Sequence, residues 1–373
     1  MIAAVAAVVL ALAGAGLWYA LLREEEPQGH TDRITLVAPA VDGPLHATDP
    51  ALLTSLVMTG GKPDNAAFEI GLMAPDGAFL PTDGSYTLTA EITNLNDGAH
   101  VAMPLEELTD AATPTWRVED PGIETEGWWR IRTTTERPDG DPVTAEFHLL
   151  IPDPNMTGFT SPPAPDTDPD AEDTLQTALA QMSEWSSLRW WEWLSAGDGS
   201  MILVEFSVTT PESNGQPNGF QNRSIFAGRM VPGENGVPPS PPRTDWFTSV
   251  TIGDEAWAVR DGGTPESTSA TRYLPIQQYP ETYEGATSVT YGITEDVLGR
   301  EAQVVTFHVP TLPTQSEAWY AFWIDTETGE VLQLSMLAMN HYMVWEYFDV
   351  NDPFVLEFPG GAPSATPQAS PTE

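Results

Sequence analysis

Apolar and polar positions alternate through most of the chain in short runs broken by Gly, Pro, Asn and Asp, which is the pattern of half-buried strands. The clearest instance is 318–338, AWYAFWIDTETGEVLQLSMLA: two apolar strands around a turn at Thr326-Glu327-Thr328-Gly329. Gly329 supplies the left-handed backbone position that closes such a loop. If Asp325 pairs with Glu330, then Ile324 faces Val331 and Trp323 faces Leu332. One face then carries Trp319, Ala321, Trp323, Leu332, Leu334 and Met336 and is wholly apolar. The other mixes Tyr320, Phe322 and Ile324 with Gln333 and Ser335. A helix, another sheet or an apolar ligand must cover the apolar face.

The same pattern divides the chain. Residues 27–152 read as an all-β sandwich, with strands at 67–73, 85–92, 115–118, 126–133 and 144–151 and Pro-Asp-Gly turns at 75–77 and 138–140. A Pro/Asp-rich stretch, 153–172, reads as a linker. The second domain, 173–358, opens with a helix at 174–185, where Leu175, Leu179 and Met182 recur at helical spacing and Asp173 can cap the start. Strands follow at 188–194, 201–209, 246–252, 256–260, 287–294, 302–309, through the hairpin, and at 342–348. One helix with a long antiparallel sheet makes an α+β domain. The tail, 359–373, is rich in Pro, Ala, Ser and Thr and reads as disordered.

Residues 2–22 carry no charge, about the length a helix needs to cross a bilayer. Trp18 and Tyr19 suit the membrane interface, and Arg23 and Glu24–Glu26 end the run. The expectation is a membrane anchor over 1–26. A cleaved signal peptide with Ala13-Gly14-Ala15 as its small-residue site is the rival, and a start further upstream is a third reading.

Fourteen Lys and Arg against 54 Asp and Glu give a formal charge of −40, with Lys62 the single lysine. Nucleic acid is excluded as a partner, because phosphate binding needs a basic footprint. The acidic run 166–173 lacks the glycine and closing Glu of a calcium loop and reads as part of the linker. The chain has no cysteine, so disulfides, thiolate metal sites and cysteine nucleophiles are excluded.

Candidate chemistry is sparse. Met339, His341 and Met343 alternate along one expected strand, and two thioethers with an imidazole suit Cu(I). The plain reading is that they pack the sheet. His46, Met58, His100 and Met103 are scattered over the first domain. Asp325-Thr326 lacks the Asp-Thr-Gly of an aspartic protease, and no nucleophile elbow, zinc-protease motif or phosphate loop occurs. The expectation is a non-enzyme. Nine of the thirteen tryptophans fall in the second domain, Trp190, Trp191 and Trp193 on one strand. They read as core, or as a wall meeting an apolar ligand or membrane interface, with carbohydrate stacking as a third option.

Three pieces in order resemble the LolA-like lipoprotein carriers and the lipid-carrying lipoproteins of mycobacterial type. They are the helix leading into Trp190–Leu194, the stretch Gly299-Arg-Glu-Ala-Gln-Val-Val-Thr-Phe-His308, and the hairpin Trp323-Ile-Asp-Thr-Glu-Thr-Gly-Glu-Val-Leu332. The resemblance implies a curved antiparallel half-barrel with a covering helix and a cavity for a lipid or other apolar ligand. Its expected wall is Trp319, Trp323, Leu332, Leu334 and Met336. In the first domain, Gly127-Trp-Trp-Arg-Ile-Arg-Thr133 followed by Phe147-His-Leu-Leu-Ile151 resembles the immunoglobulin-like modules of CopC- and YtkA-type copper-resistance proteins. The expected fold is therefore mainly β: transmembrane helix, immunoglobulin-like sandwich, then half-barrel. The expected function is apolar-ligand binding by a membrane-tethered extracytoplasmic protein without a resident cofactor. Copper handling through Met339, His341 and Met343 is one alternative, and a structural or sensing envelope protein is another.

Overall fold

The computed structural model describes residues 31–44, 49–159, 165–229, 247–260, 263–269, 276–311 and 316–359. The expected anchor over 1–26 and the tail beyond 359 lie outside the described residues. Among the described residues no helix is long and apolar enough to cross a membrane.

Short alternating runs make strands, and the strands make three antiparallel sheets. In the first half they are β1 (Arg33–Ala40), β2 (Leu52–Thr59), β3 (Ala67–Met73), β4 (Thr87–Asn94), β5 (His100–Ala102), β6 (Glu106–Glu107), β7 (Thr115–Val118), β8 (Gly127–Glu136) and β9 (Val143–Ile151). They form a five-stranded sheet, β1-β2-β3-β7-β6, and a four-stranded sheet, β5-β4-β8-β9. Phe68, Ile70 and Leu72 of the first and Ile92, Trp129, Ile131 and Leu149 of the second are almost wholly buried in one core.

The second half contributes α1 (Pro169–Met182), β10 (Ser187–Ser195), β11 (Ser200–Thr209), the single turn α2 (Pro211–Asn214), β12 (Gly219–Arg229), β13 (Phe247–Ile252), β14 (Glu255–Arg260) and β15 (Glu266–Thr268). A 3-10 segment (Ile276–Tyr283) follows, then β16 (Thr287–Val297), β17 (Arg300–Val309), β18 (Ala318–Asp325), β19 (Val331–Ala338) and β20 (His341–Phe348). All eleven strands join in one open sheet, β15-β14-β13-β12-β11-β10-β20-β19-β18-β17-β16. β10 pairs with β20, so the two ends of the domain meet at the centre of the sheet.

This sheet is apolar on both faces. Trp191, Trp193, Val304, Ala321, Trp323 and Leu337 belong to the same core as the sandwich. Trp190, Phe206, Phe307, Phe322, Leu334 and Met343 point the other way, to Leu175, Leu179 and Met182 of α1. The order of layers is thus sandwich, large sheet, helix.

Four expectations need correction. The helix starts earlier than 174: Asp168, inside the run read as linker, is its N-cap and accepts from the backbone N–H of Asp170 at 2.9 Å. The stretch 153–172 is not a free linker, because Asp153, Asn155 and Met156 are buried. Asp153 and Asn155 are held there by hydrogen bonds to Tyr342 of β20 and to Asn340 in the turn before it. In the hairpin, Asp325 N–H does donate to Glu330 O at 2.8 Å and Ile324 does face Val331. A bulge at the next position, however, sets Trp323 opposite Gln333 instead of Leu332. Without that extra residue Gln333 and Ser335 would face the helix. With it, Leu334 and Met336 do. Finally, Met339 is not on a strand with His341 and Met343. It sits with Asn340 in the turn between β19 and β20, where Ala338 pairs with His341.

Candidate functional site

The five residues expected to line one wall are divided between two faces. Trp323, Leu332 and Trp319 lie on the sandwich side. Trp323 is 1% exposed; its indole N–H donates to Glu295 Oε1 at 2.6 Å and its ring stacks on His148 at 4.9 Å. Trp319 stacks on His308 and meets Phe159 edge-on. Leu334 and Met336 lie on the helix side.

The sandwich side is closed by polar as well as apolar contacts. Arg130 of β8 pairs with Glu295 of β16, and His148 of β9 bonds Ser335 of β19. Trp193 Nε1–H donates to Val37 O at 2.6 Å. Tyr342 Oη–H donates to the Asp153 carboxylate at 2.9 Å, and Asn155 Nδ2–H donates to Ala338 O at 3.1 Å. Burial pushes His148 down to about 4 and Asp153 up to about 7, the latter opposed by its hydrogen bonds from Asn155 and Tyr342.

The helix side is different. Toward β17–β19 it is filled by rings: Tyr283 meets Phe322 at 5.0 Å and Tyr320 at 5.2 Å, and Phe307 stacks on Tyr320 at 5.1 Å. Few polar ties hold α1 over this face. Asp168 N–H donates to Val289 O at 2.8 Å, Thr174 Oγ1 meets Tyr291 Oη at 2.6 Å, and Gln181 Nε2–H donates to Thr328 O at 2.9 Å.

At the centre of the sheet the same face turns polar. Trp190 lies opposite Tyr347, and Glu192 lies opposite Trp345. Trp190 stacks on Phe206 at 4.8 Å, and Tyr347 meets Trp185 at 5.4 Å. Glu192 is 4% exposed, and burial pushes its carboxyl up to about 8, against the neighbouring indoles of Trp345 and Trp190. The Nε1 atoms of Trp190 and Trp345 and the Oη of Tyr347 are buried and close no hydrogen bond of normal geometry. Further along, Asn222, Ser224, Ser249 and Thr251 are buried polar residues on β12 and β13. Sequence reading missed this locus. Its one signal was Glu192 standing where an inward residue of the strand 188–194 should be apolar.

The copper candidates do not converge. Met339 is 64% exposed, Met343 is buried in the helix-side core, and His341 Nδ1–H donates to Met339 O at 2.7 Å. Met58 and Met103 are sandwich core, His100 is exposed beside Thr93, and His46 lies outside the described residues. Among the described residues no group of three or more His, Asp or Glu side chains is arranged to hold a metal ion. Asp325 serves the turn: its carboxylate accepts from the N–H groups of Glu327 and Thr328 and pairs with Arg300 at 2.6 Å.

The fold defines a mainly β protein with a sandwich and a large open antiparallel sheet. No family model and no curated protein matches the chain. Among solved structures it is similar to LprF from Mycobacterium bovis, at 13% identity and a TM-score of 0.40, over 52% of this chain and 99% of that one. It is also similar to the Mycobacterium tuberculosis lipoprotein LppX, at 11% identity and a TM-score of 0.34, over 51% of this chain and 100% of that one. The Pseudomonas aeruginosa MucA/MucB complex is matched at 14% identity and a TM-score of 0.28, over 48% of this chain and 55% of that one. Likeness this distant carries no inference about a ligand.

Proposed function

We propose that this chain is a non-enzymatic, membrane-tethered extracytoplasmic protein that binds an apolar or amphiphilic molecule on the helix-covered face of its large sheet. One observation carries the reading: the two apolar faces are covered in different ways. The sandwich face is sealed by buried side-chain hydrogen bonds and an ion pair. The helix face is covered by α1 through apolar contacts and a few polar ties. Only the second can be uncovered without breaking a buried polar network.

The magnitudes allow exchange. α1 buries Leu175, Leu179 and Met182 with Ala171 and Ala178. Three large apolar side chains are worth roughly 5–9 kcal/mol, and an acyl chain at about 0.8 kcal/mol per methylene matches that within about a dozen carbons. A ligand therefore competes with α1 on near-equal terms. In this reading the sandwich is a spacer or interaction module, and residues 2–22 are the tether.

An environment-sensitive fluorescent acyl probe tests it. The probe should bind the wild type, and Met336→Glu, on the helix side, should weaken binding at least tenfold. Trp319→Ala, on the sandwich side, should leave it unchanged. Absence of binding, or loss on Trp319→Ala alone, contradicts the reading.

A further inference from the structure

The middle of the helix-covered face is an improbable place for polar atoms, yet four side chains bring them there. Trp190 and Glu192 come from β10, and Trp345 and Tyr347 come from the paired strand β20. Glu192, Trp190 and Tyr347 are each at least 95% buried. The indole N–H groups of Trp190 and Trp345 have the Glu192 carboxyl as their neighbouring acceptor without closing a bond of normal geometry on it, and the Tyr347 O–H closes none. A buried donor left without a partner costs about 1–3 kcal/mol, and native proteins leave few of them. Three around one carboxyl, on adjacent strands, is a cluster with a shared deficit.

The deficit has a direction. Indole N–H can only donate, and a protonated carboxyl donates one hydrogen as well. Among the described residues no counter-charge faces the locus. The titratable groups packed on this face, among the described residues, are the phenols of Tyr347, Tyr279, Tyr283, Tyr291 and Tyr320, with His341 further along β20, its Nδ1 bonded to Met339 O. The acidic residues of α1, Asp170, Glu172 and Asp173, are exposed, and Glu205 and Glu346 stand opposite Trp191, on the sandwich side of the sheet. Burial keeps Glu192 protonated to about pH 8, so near neutrality the locus is uncharged and rich in donors.

We propose that Glu192, Trp190, Trp345 and Tyr347 form the subsite for the polar end of the ligand, and that this end is an uncharged carbonyl acceptor of the ester or amide kind. This rests on the ligand-binding reading above and specifies which amphiphile the face selects. The apolar chain lies toward Phe322 and Leu334, and the carbonyl oxygen accepts from the indole and carboxyl hydrogens. An alkyl ammonium would add a fifth donor where acceptors are wanted, unless Glu192 ionised.

Two brominated probes of identical chain separate the cases: the methyl ester of 9,10-dibromostearic acid and 9,10-dibromostearylamine, each read by quenching of tryptophan fluorescence. At pH 6.5 the ester should bind at least tenfold more tightly than the amine. Its affinity for the wild type should fall about tenfold between pH 6.5 and 9.5, as the carboxyl ionises and the donor is lost. Glu192→Gln keeps a neutral donor, so it should bind the ester as the wild type does at pH 6.5 and show no such fall. A tighter amine, equal affinities, or a wild-type profile flat in pH overturns the subsite while leaving the ligand-binding reading standing. The wild-type profile decides even if the variant fails to fold. No quenching by either probe overturns both.

Discussion

Asp153 shows how a single buried carboxyl ties the two halves together. It is fully buried, accepts from Tyr342 and from the backbone N–H of Asn155, and titrates at about 7. A carboxyl raised above its unfolded value holds a proton that the unfolded chain releases. Its contribution is therefore intact below about pH 4 and is lost as pH rises to about 7. Glu192 acts in the same sense up to about 8, while His148, lowered to about 4, opposes them by weakening the fold as pH falls from 6.5. Asp153→Asn keeps the acceptor and removes the titration. Urea unfolding at pH 8 should find it more stable than wild type, by roughly 2–4 kcal/mol, with no gain at pH 4. An equal difference at both pH values would show that Asp153 does not titrate across that window.

Among the elements, the β18–β19 hairpin and α1 depend on each other at Gly329. Its φ is +76°, and a Cβ there would lie 2.8 Å from Gln181 Nε2, the group that donates to Thr328 O. Gly329→Ala should cost about 1–2 kcal/mol and lower the melting temperature by several degrees. An unchanged melting temperature would mean that the turn tolerates other backbone forms. The turn was legible in the sequence because it rests on local chemistry: a glycine, and an aspartate that accepts from the amides two and three residues on. Strands such as Ala67–Met73 and Thr115–Val118 were legible for the same reason, since alternation is local. The bulge at Leu332 was not, because what favours it is distant: Ser335 meets His148, 187 positions away in sequence. That one shift sent Leu334 and Met336 to the helix and left Trp319, Trp323 and Leu332 under the sandwich. The Glu192 locus was hidden likewise, since its partners Trp345 and Tyr347 come from the far end of the chain.

At the scale of the whole molecule the two domains share one core, and their backbones come close at Gly292. A Cβ there would lie 2.1 Å from Leu95 O, the carbonyl that accepts from Ile293 N–H at 2.8 Å. Gly292→Ala should therefore pry the sandwich from the sheet. Wild type should unfold in a single transition, coincident by circular dichroism and tryptophan fluorescence, and the variant should split it in two. Two transitions in the wild type would contradict a shared core. The sealed sandwich face is what leaves the helix side as the place for a ligand, and native mass spectrometry of gently extracted full-length protein tests that claim most directly. The account predicts an added mass that is lost on organic extraction and absent from Met336→Glu. A bare protein mass in the wild type, with no uptake of an added long-chain ester, would contradict it.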